Sequence, residues 1–489
     1  MQRLNRRQFL TLSGSTAGAI LLSRCASNSN SVAEKLPLSS QQLISQGGQL
    51  EIALEANESL INLAGYQANL LSYNGQVPGP LIEARAGDTI NLRFTNNLSE
   101  STNLHYHGLH IPPTENADNI FLEIKSGQTF TYQFTIPKNH PAGTFYYHPH
   151  LHGLVAKQIF GGLGGLFIIR GELDELPEIR AAQEAFLFLK DFDLGTNGQV
   201  QSPHHMAQMQ GREGPLVTAN GQLNPSLSLA TGGLLRLRLL NASSSRFYRL
   251  ALEEHSLYLI ATDGGSLSEP IELIELLLAP GERAEVLVRG ERQPGQYRLL
   301  NLPYNRGSMG MMGGGGMMGR GRMGNRYSSN AENPQTLATL TYKDKVASLP
   351  LPQKLIPVEA LPEPQKVRPF TLNHGMAPRM GMVFLINGKA FDHQRVDTQV
   401  RLNTVEDWDI VNTGVMDHPF HLHTNPFQVI TRNGKPEAYL AWKDTVLVKA
   451  GETVRIRVRF ADFPGKTVYH CHILDHEDLG MMGMIEMVA

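Results

Sequence analysis

Thr89-Ile90-Asn91-Leu92-Arg93-Phe94 alternates polar and apolar side chains. Thr129-Phe130-Thr131-Tyr132-Gln133-Phe134-Thr135 and Leu234-Leu235-Arg236-Leu237-Arg238-Leu239 repeat the pattern. Side chains along a strand point to alternate faces, so each stretch reads as a strand with one face in a core and one in water. Asn74-Gly75, Asn220-Gly221 and Asn387-Gly388 are tight-turn signals, since both residue types tolerate positive φ. From about residue 48 the chain reads as short strands punctuated by Gly (47) and Pro (28), without a long 3.6-residue period. The pattern predicts an all-β protein made of β-sandwiches.

The three Asn-Gly motifs recur at spacings of 146 and 167 residues, and a strand pattern follows each, at Thr89–Phe94, Leu234–Leu239 and Val400–Leu402. Repetition on this scale predicts three related domains of ordinary sandwich size. We place them at residues 48–172, 180–345 and 370–489. Residues 350–369 hold six prolines and read as a linker. Residues 307–324 are rich in Gly and Met, lack any period, and read as an exposed loop of the second domain.

Formal net charge is -2, so no basic field points to nucleic acid. Arg6-Arg7-Gln8-Phe9-Leu10, followed by a mild apolar run to Leu22, resembles a twin-arginine export signal over residues 1–26. A periplasmic or extracellular address follows, and a Sec-type signal is the alternative. The run is too short and too rich in Ser, Gly and Thr to span a membrane, and no other segment is apolar enough. Cys25 closes the signal region, where lipid attachment is the lesser option. Cys471 is then the sole cysteine of the mature body, and an unpaired thiol in an exported chain needs an explanation.

Ten of the 18 histidines fall in four clusters: His105 and His107; His148 and His150; His418, His421 and His423; and His470, His472 and His476 around Cys471. One such pair is weak evidence. Four in one chain, with the lone thiol inside one of them, point to metal. Strand parity sorts the donors. His470 and His472 share a face, and Cys471 points to the other. His421 and His423 share a face, and His418 has opposite parity to both. Two sites follow. A thiolate with two imidazoles and a weak axial thioether makes a blue-copper electron-transfer centre, and Cys471, His418, His476 and Met481 supply that set. The other eight imidazoles are too many for one metal and suit three coppers. Cys471 would then bind one centre while its chain neighbours bind the other.

The segment from His470 through Cys471, His472 and His476 to Met481 resembles the diagnostic motif of the multicopper oxidases (laccases, bilirubin and ascorbate oxidases, bacterial cuprous oxidases), and the other three clusters match in order and spacing. The resemblance spans essentially the whole mature chain. It implies three cupredoxin-like Greek-key domains and four copper ions. Cys471, His418 and His476 would hold the type 1 copper with Met481 axial. His105 and His421 would hold the type 2 copper. His107, His148, His150, His423, His470 and His472 would hold the type 3 pair. It also implies proton-donating carboxylates near the cluster, and Glu477 and Asp118 occupy fitting positions. The expected activity couples one-electron oxidation of a reducing substrate to reduction of O2 to water, by a monomer. One departure stands out: after His423 the chain reads Thr424-Asn425, where many laccases carry glycine and a further histidine.

Met309, Met311, Met312, Met317, Met318 and Met323 lie within 15 residues, interrupted by Gly. Thioethers are soft ligands that suit Cu(I). The loop therefore tilts the expected donor from phenols and aromatic amines toward Cu(I), with a role in copper tolerance, and Met416 stands two residues before His418. A copper-sequestering protein, a cupredoxin scaffold of cell division and a copper nitrite reductase are the other classes. The full set of eight paired histidines and the third repeat count against the reductase, and the ten histidines with Cys471 count against the scaffold. Sequestration fits the Met-rich loop without requiring the eight-histidine set.

Overall fold

The computed structural model describes residues 41–308, 333–377 and 381–489. The expected export segment, Cys25 and the methionines from Met309 to Met323 lie outside the described residues.

The alternating stretches are strands. In Thr89–Asn96 the side chains of Ile90, Leu92, Phe94 and Asn96 are fully buried while the intervening residues reach the surface. Each large apolar side chain so buried contributes about 1.5–3 kcal/mol. Three sandwiches follow in chain order. The first joins a four-stranded and a five-stranded sheet, the second a six- and a five-stranded sheet, and the third a seven- and a five-stranded sheet. Each has its own apolar core, built around Phe94 and Tyr132, around Leu237 and Val286, and around Trp408 and Ile456.

The three Asn-Gly motifs make the same device three times. Asn74, Asn220 and Asn387 have φ of 52°, 56° and 53°, and the glycine that follows has φ of 71° each time. Each Asn Oδ1 accepts a backbone N–H from a neighbouring strand, from Glu55, Phe188 and Thr371 respectively. The sequence repeat is thus a repeat of tertiary structure. The stretch between the second and third sandwiches runs without regular structure until the strand Lys366–Ala377 begins.

Leu234–Asn241 departs from the expected half-exposed strand, because all eight residues are buried. Its polar face does not meet water; it meets carboxylates of its own domain and Thr144 of the first. Arg238 contacts Glu184, Glu285 and Thr144, and Arg236 contacts Glu285 and Asp174. Buried guanidinium groups are tolerated here because each has carboxylate partners, and removing one partner of such a pair costs about 3–5 kcal/mol. Thr144 lies on the strand Gly143–His148, so this ion-pair layer braces the strand that carries His148.

Candidate metal centres

Two antiparallel strands and one short helix of the third domain hold the residues around Cys471. In the strands His418–Leu422 and Gly465–Cys471, Phe420 pairs with Cys471 and His421 with His470. The helix Leu474–Asp478 then folds back to present His476. Cys471 Sγ lies 3.4 Å from His418 Nδ1 and 3.9 Å from His476 Nδ1, and the two nitrogens are 3.4 Å apart. The centre of that triangle is about 2.1 Å from each atom, the length of a metal–imidazole bond. His476 Nε2–H donates to the Met209 carbonyl at 3.2 Å, which leaves the Nδ1 lone pair aimed at the triangle. Phe384 stacks on the same ring at 3.7 Å. Burial pushes His418 down to about 3, with His374 and Arg306 adding to the effect, so both rings are neutral and ready to ligate. Burial pushes the Cys471 thiol up and the Ile473 N–H, 3.4 Å from the sulfur, works the other way. A cation is what would make the thiolate stable there. Met481 is fully buried in the same loop, with its carbonyl accepting from Cys471 N–H at 3.0 Å.

The other eight histidines meet where the first and third domains join. His105 pairs across strands with His148, and His107 with Tyr146. All eight rings are buried. His150 Nε2 is 3.2 Å and His423 Nε2 3.1 Å from His470 Nε2. His105 stacks on His423 at 3.9 Å, and His107 on His421 at 3.8 Å.

Hydrogen bonds on the far side of several rings fix which nitrogen keeps a lone pair. His148 Nδ1–H donates to the Pro149 carbonyl at 2.9 Å, and His107 Nε2–H to Asp444 at 3.0 Å. The remaining atoms, His148 Nε2 and His107 Nδ1, face each other at 3.4 Å. Two lone pairs do not hydrogen-bond, and a cation between them resolves the contact. His105 Nδ1–H donates to Asp118 at 2.9 Å and His421 Nδ1–H to the Asp444 carbonyl at 2.8 Å. Their Nε2 atoms are buried without any hydrogen-bond partner. His472 sits 5.0 Å from the His107 ring, with its Nε2 on the Tyr146 hydroxyl at 2.8 Å and its Nδ1 unpartnered. Orphaned, buried imidazole nitrogens facing one another are the donor set that copper takes, and the residues present fit it.

Both carboxylates expected from the sequence lie against this cluster. Asp118 holds His105 and also accepts the Tyr106 N–H at 2.9 Å. Glu477 places one oxygen 2.9 Å from His470 Nδ1 and the other 3.5 Å from His150 Nε2. Burial raises Asp118 to about 8 and Glu477 to about 7, where a carboxyl group exchanges its proton near neutral pH.

Asp444 and Arg283 escaped the sequence reading. Asp444 reaches His107 through its side chain and His421 through its carbonyl, while Arg283 binds both Asp444 oxygens at 2.8 and 2.5 Å. Burial would raise Asp444, but Arg283 and His107 hold it well below the usual carboxylate range. The pair fits only because residue 108 is glycine: a Cβ there would lie 2.3 Å from the Arg283 guanidinium. Nothing in the local sequence marks a lone Asp before the strand Thr445–Val448. Of the remaining histidines, His110 joins the two domains, and His152 and His393 pack together with ring centroids 5.4 Å apart.

Three multicopper oxidase family models match the chain, over residues 55–174, 190–314 and 362–488. A multicopper oxidase of Staphylococcus haemolyticus is 30% identical over 86% of this chain and 84% of its own length. A cell division protein, FtsP, of Gallibacterium anatis is 32% identical over 96% of this chain and 95% of its own. Among solved structures, a multicopper oxidase of Campylobacter jejuni described as a metallo-oxidase superposes with a TM-score of 0.81 at 32% identity, covering 94% of this chain and 96% of that one. With three cupredoxin-type domains and these relatives, the chain belongs to the multicopper oxidase family.

Proposed function

We propose that this chain is an exported, monomeric oxidase that holds four copper ions and couples one-electron oxidation of a small reducing substrate to four-electron reduction of O2 to water. Cys471, His418, His476 and Met481 would hold the type 1 ion. His105 and His421 hold the type 2 ion, and His107, His148, His150, His423, His470 and His472 the type 3 pair. Bound copper supplies one-electron redox chemistry at the first centre and multi-electron chemistry toward O2 at the second.

The observation that carries this reading is the position of Cys471. Its sulfur faces one donor set, while His470 and His472, one residue away on either side, face the other. The backbone between them is a covalent path of a few bonds. Asp118 and Glu477 stand at the cluster to hold and deliver the protons that water formation consumes. Burial of all eight rings keeps bulk water from the reacting atoms.

On the donor side, Cu(I) is favoured over phenols and aromatic amines. The stem of the Met-rich segment supports this, because Gly307 bridges to Met416 beside His418. The metallo-oxidase relative points the same way. A role in copper tolerance follows from that donor. The experiment loads the purified protein with copper, records its visible spectrum, and follows O2 uptake with Cu(I) and with a phenol separately. A blue band with uptake driven by Cu(I) is expected. Absence of the blue band, or of uptake with every donor, would refute the oxidase reading.

The FtsP relative favours a second reading, a scaffold role without turnover. The complete set of ten histidines and Cys471 in two metal-shaped sites weighs against it, and the same O2-uptake experiment separates the two.

A further inference from the structure

Thr424, which follows His423, has a φ of 66°. It is β-branched and buried, and its Oγ1 has no hydrogen-bond partner. Such residues avoid the left-handed region because Cβ crowds the adjoining carbonyl. Its own side chain does nothing to offset that strain. The turn is also tight, since Asn425 N–H donates to the His423 carbonyl at 2.7 Å. On the other side, His423 N–H is tied to the Val468 carbonyl at 3.2 Å. The direction of the His423 ring therefore depends on the peptide between residues 424 and 425.

What holds that peptide comes from the first domain. His110, three residues after His107, donates Nδ1–H to the Thr424 carbonyl at 2.7 Å. Its Nε2 lies 3.2 Å from Asp462 Oδ1 of the third domain, and its ring packs on Phe463. Its backbone N–H donates to His140 Nε2 at 3.1 Å, and His140 in turn is fixed by the Pro141 carbonyl. The imidazole is thus held at each polar position, and both ring nitrogens face acceptors.

We infer that His110 is a positioning residue for His423: its hydrogen bond to the Thr424 carbonyl holds a strained left-handed turn that aims the His423 ring into the eight-histidine cluster. The first domain then controls a donor of the third through the backbone, besides supplying four histidines of its own. The inference rests on the proposed copper reading of that cluster.

The test is a rescue experiment on the full, copper-loaded chain, with copper measured as ions per chain and as the near-ultraviolet absorption of a coupled copper pair. The blue band of the Cys471 centre is the internal reference. His110→Ala is expected to lose cluster copper to a chelator about tenfold faster, the scale of effect when a strained non-glycine turn loses its restraint. The blue band stays unchanged. Thr424→Gly added to His110→Ala restores retention, because glycine adopts this φ without strain. Asp462→Asn shifts retention in the same direction by less, and serves if His110→Ala does not fold. Retention unchanged in His110→Ala, or a loss that Thr424→Gly fails to repair, overturns the positioning role. A wild-type chain that takes up no copper overturns the copper reading itself, which keeps the two failures distinct.

Discussion

The Cys471 centre takes all three close donors from the third domain, within 58 residues of chain, whereas the eight-histidine cluster takes four rings from the first domain and four from the third. The first takes its donors from one sandwich, with the Met209 carbonyl of the second domain orienting His476, and needs nothing from the first domain. The second exists only while two domains stay docked, and the docking contacts are themselves polar and mostly half-buried. Asp478 accepts three N–H groups at the start of the first domain's helix Val155–Gly161, Arg283 of the second domain clamps Asp444, and His110 reaches Thr424. A centre within one domain can survive loosened docking; a centre between domains cannot. That difference makes the two separable by mutation.

The largest effect is expected from Cys471→Ser, which removes the sulfur that faces His418 and His476. The blue band and all turnover should vanish, while cluster copper, read by electron paramagnetic resonance, remains. Glu477→Gln should leave the blue band and its reduction by substrate intact and slow reoxidation by O2, by about 10²–10⁴-fold if it delivers a proton there. Stopped-flow absorption separates those two half-reactions. Asp444→Ala strands the buried Arg283 guanidinium and frees His107, at about 3–5 kcal/mol, while the backbone carbonyl at 444 keeps its hydrogen bond to His421. Copper analysis should show the cluster depleted and the Cys471 centre filled. Asp478→Ala removes three hydrogen bonds to a carboxylate at the domain junction, costing about 1.5–3 kcal/mol. Calorimetry should show a lower unfolding temperature with a smaller loss of cluster copper and an unchanged blue band.

Much of this was legible in the sequence, for a physical reason. Period-two alternation and Asn-Gly turns are local, and they announced strands such as Thr89–Asn96 and the threefold repeat. Histidine parity on a strand is also local, and it sorts Cys471 and His418 from His470 and His472. What escaped is long-range or carried by the backbone. Arg283 and Asp444 are 161 residues apart. The Met209 carbonyl on His476 is invisible to any reading of side chains. Arg236 and Arg238 read as solvent-facing, because alternation cannot tell water from buried carboxylates such as Glu285 on the adjoining strand. Thr424 carries none of the residue signals of a left-handed turn, and its restraint lies in another domain.

The central claim is that one strand joins a substrate-oxidising centre to an O2-reducing one. The most direct measurement reduces the fully copper-loaded protein without air, mixes it with O2, and follows the blue band and peroxide together. The account predicts prompt return of the blue band in the wild type with no peroxide released. A band that fails to return, or returns with stoichiometric peroxide, would contradict it.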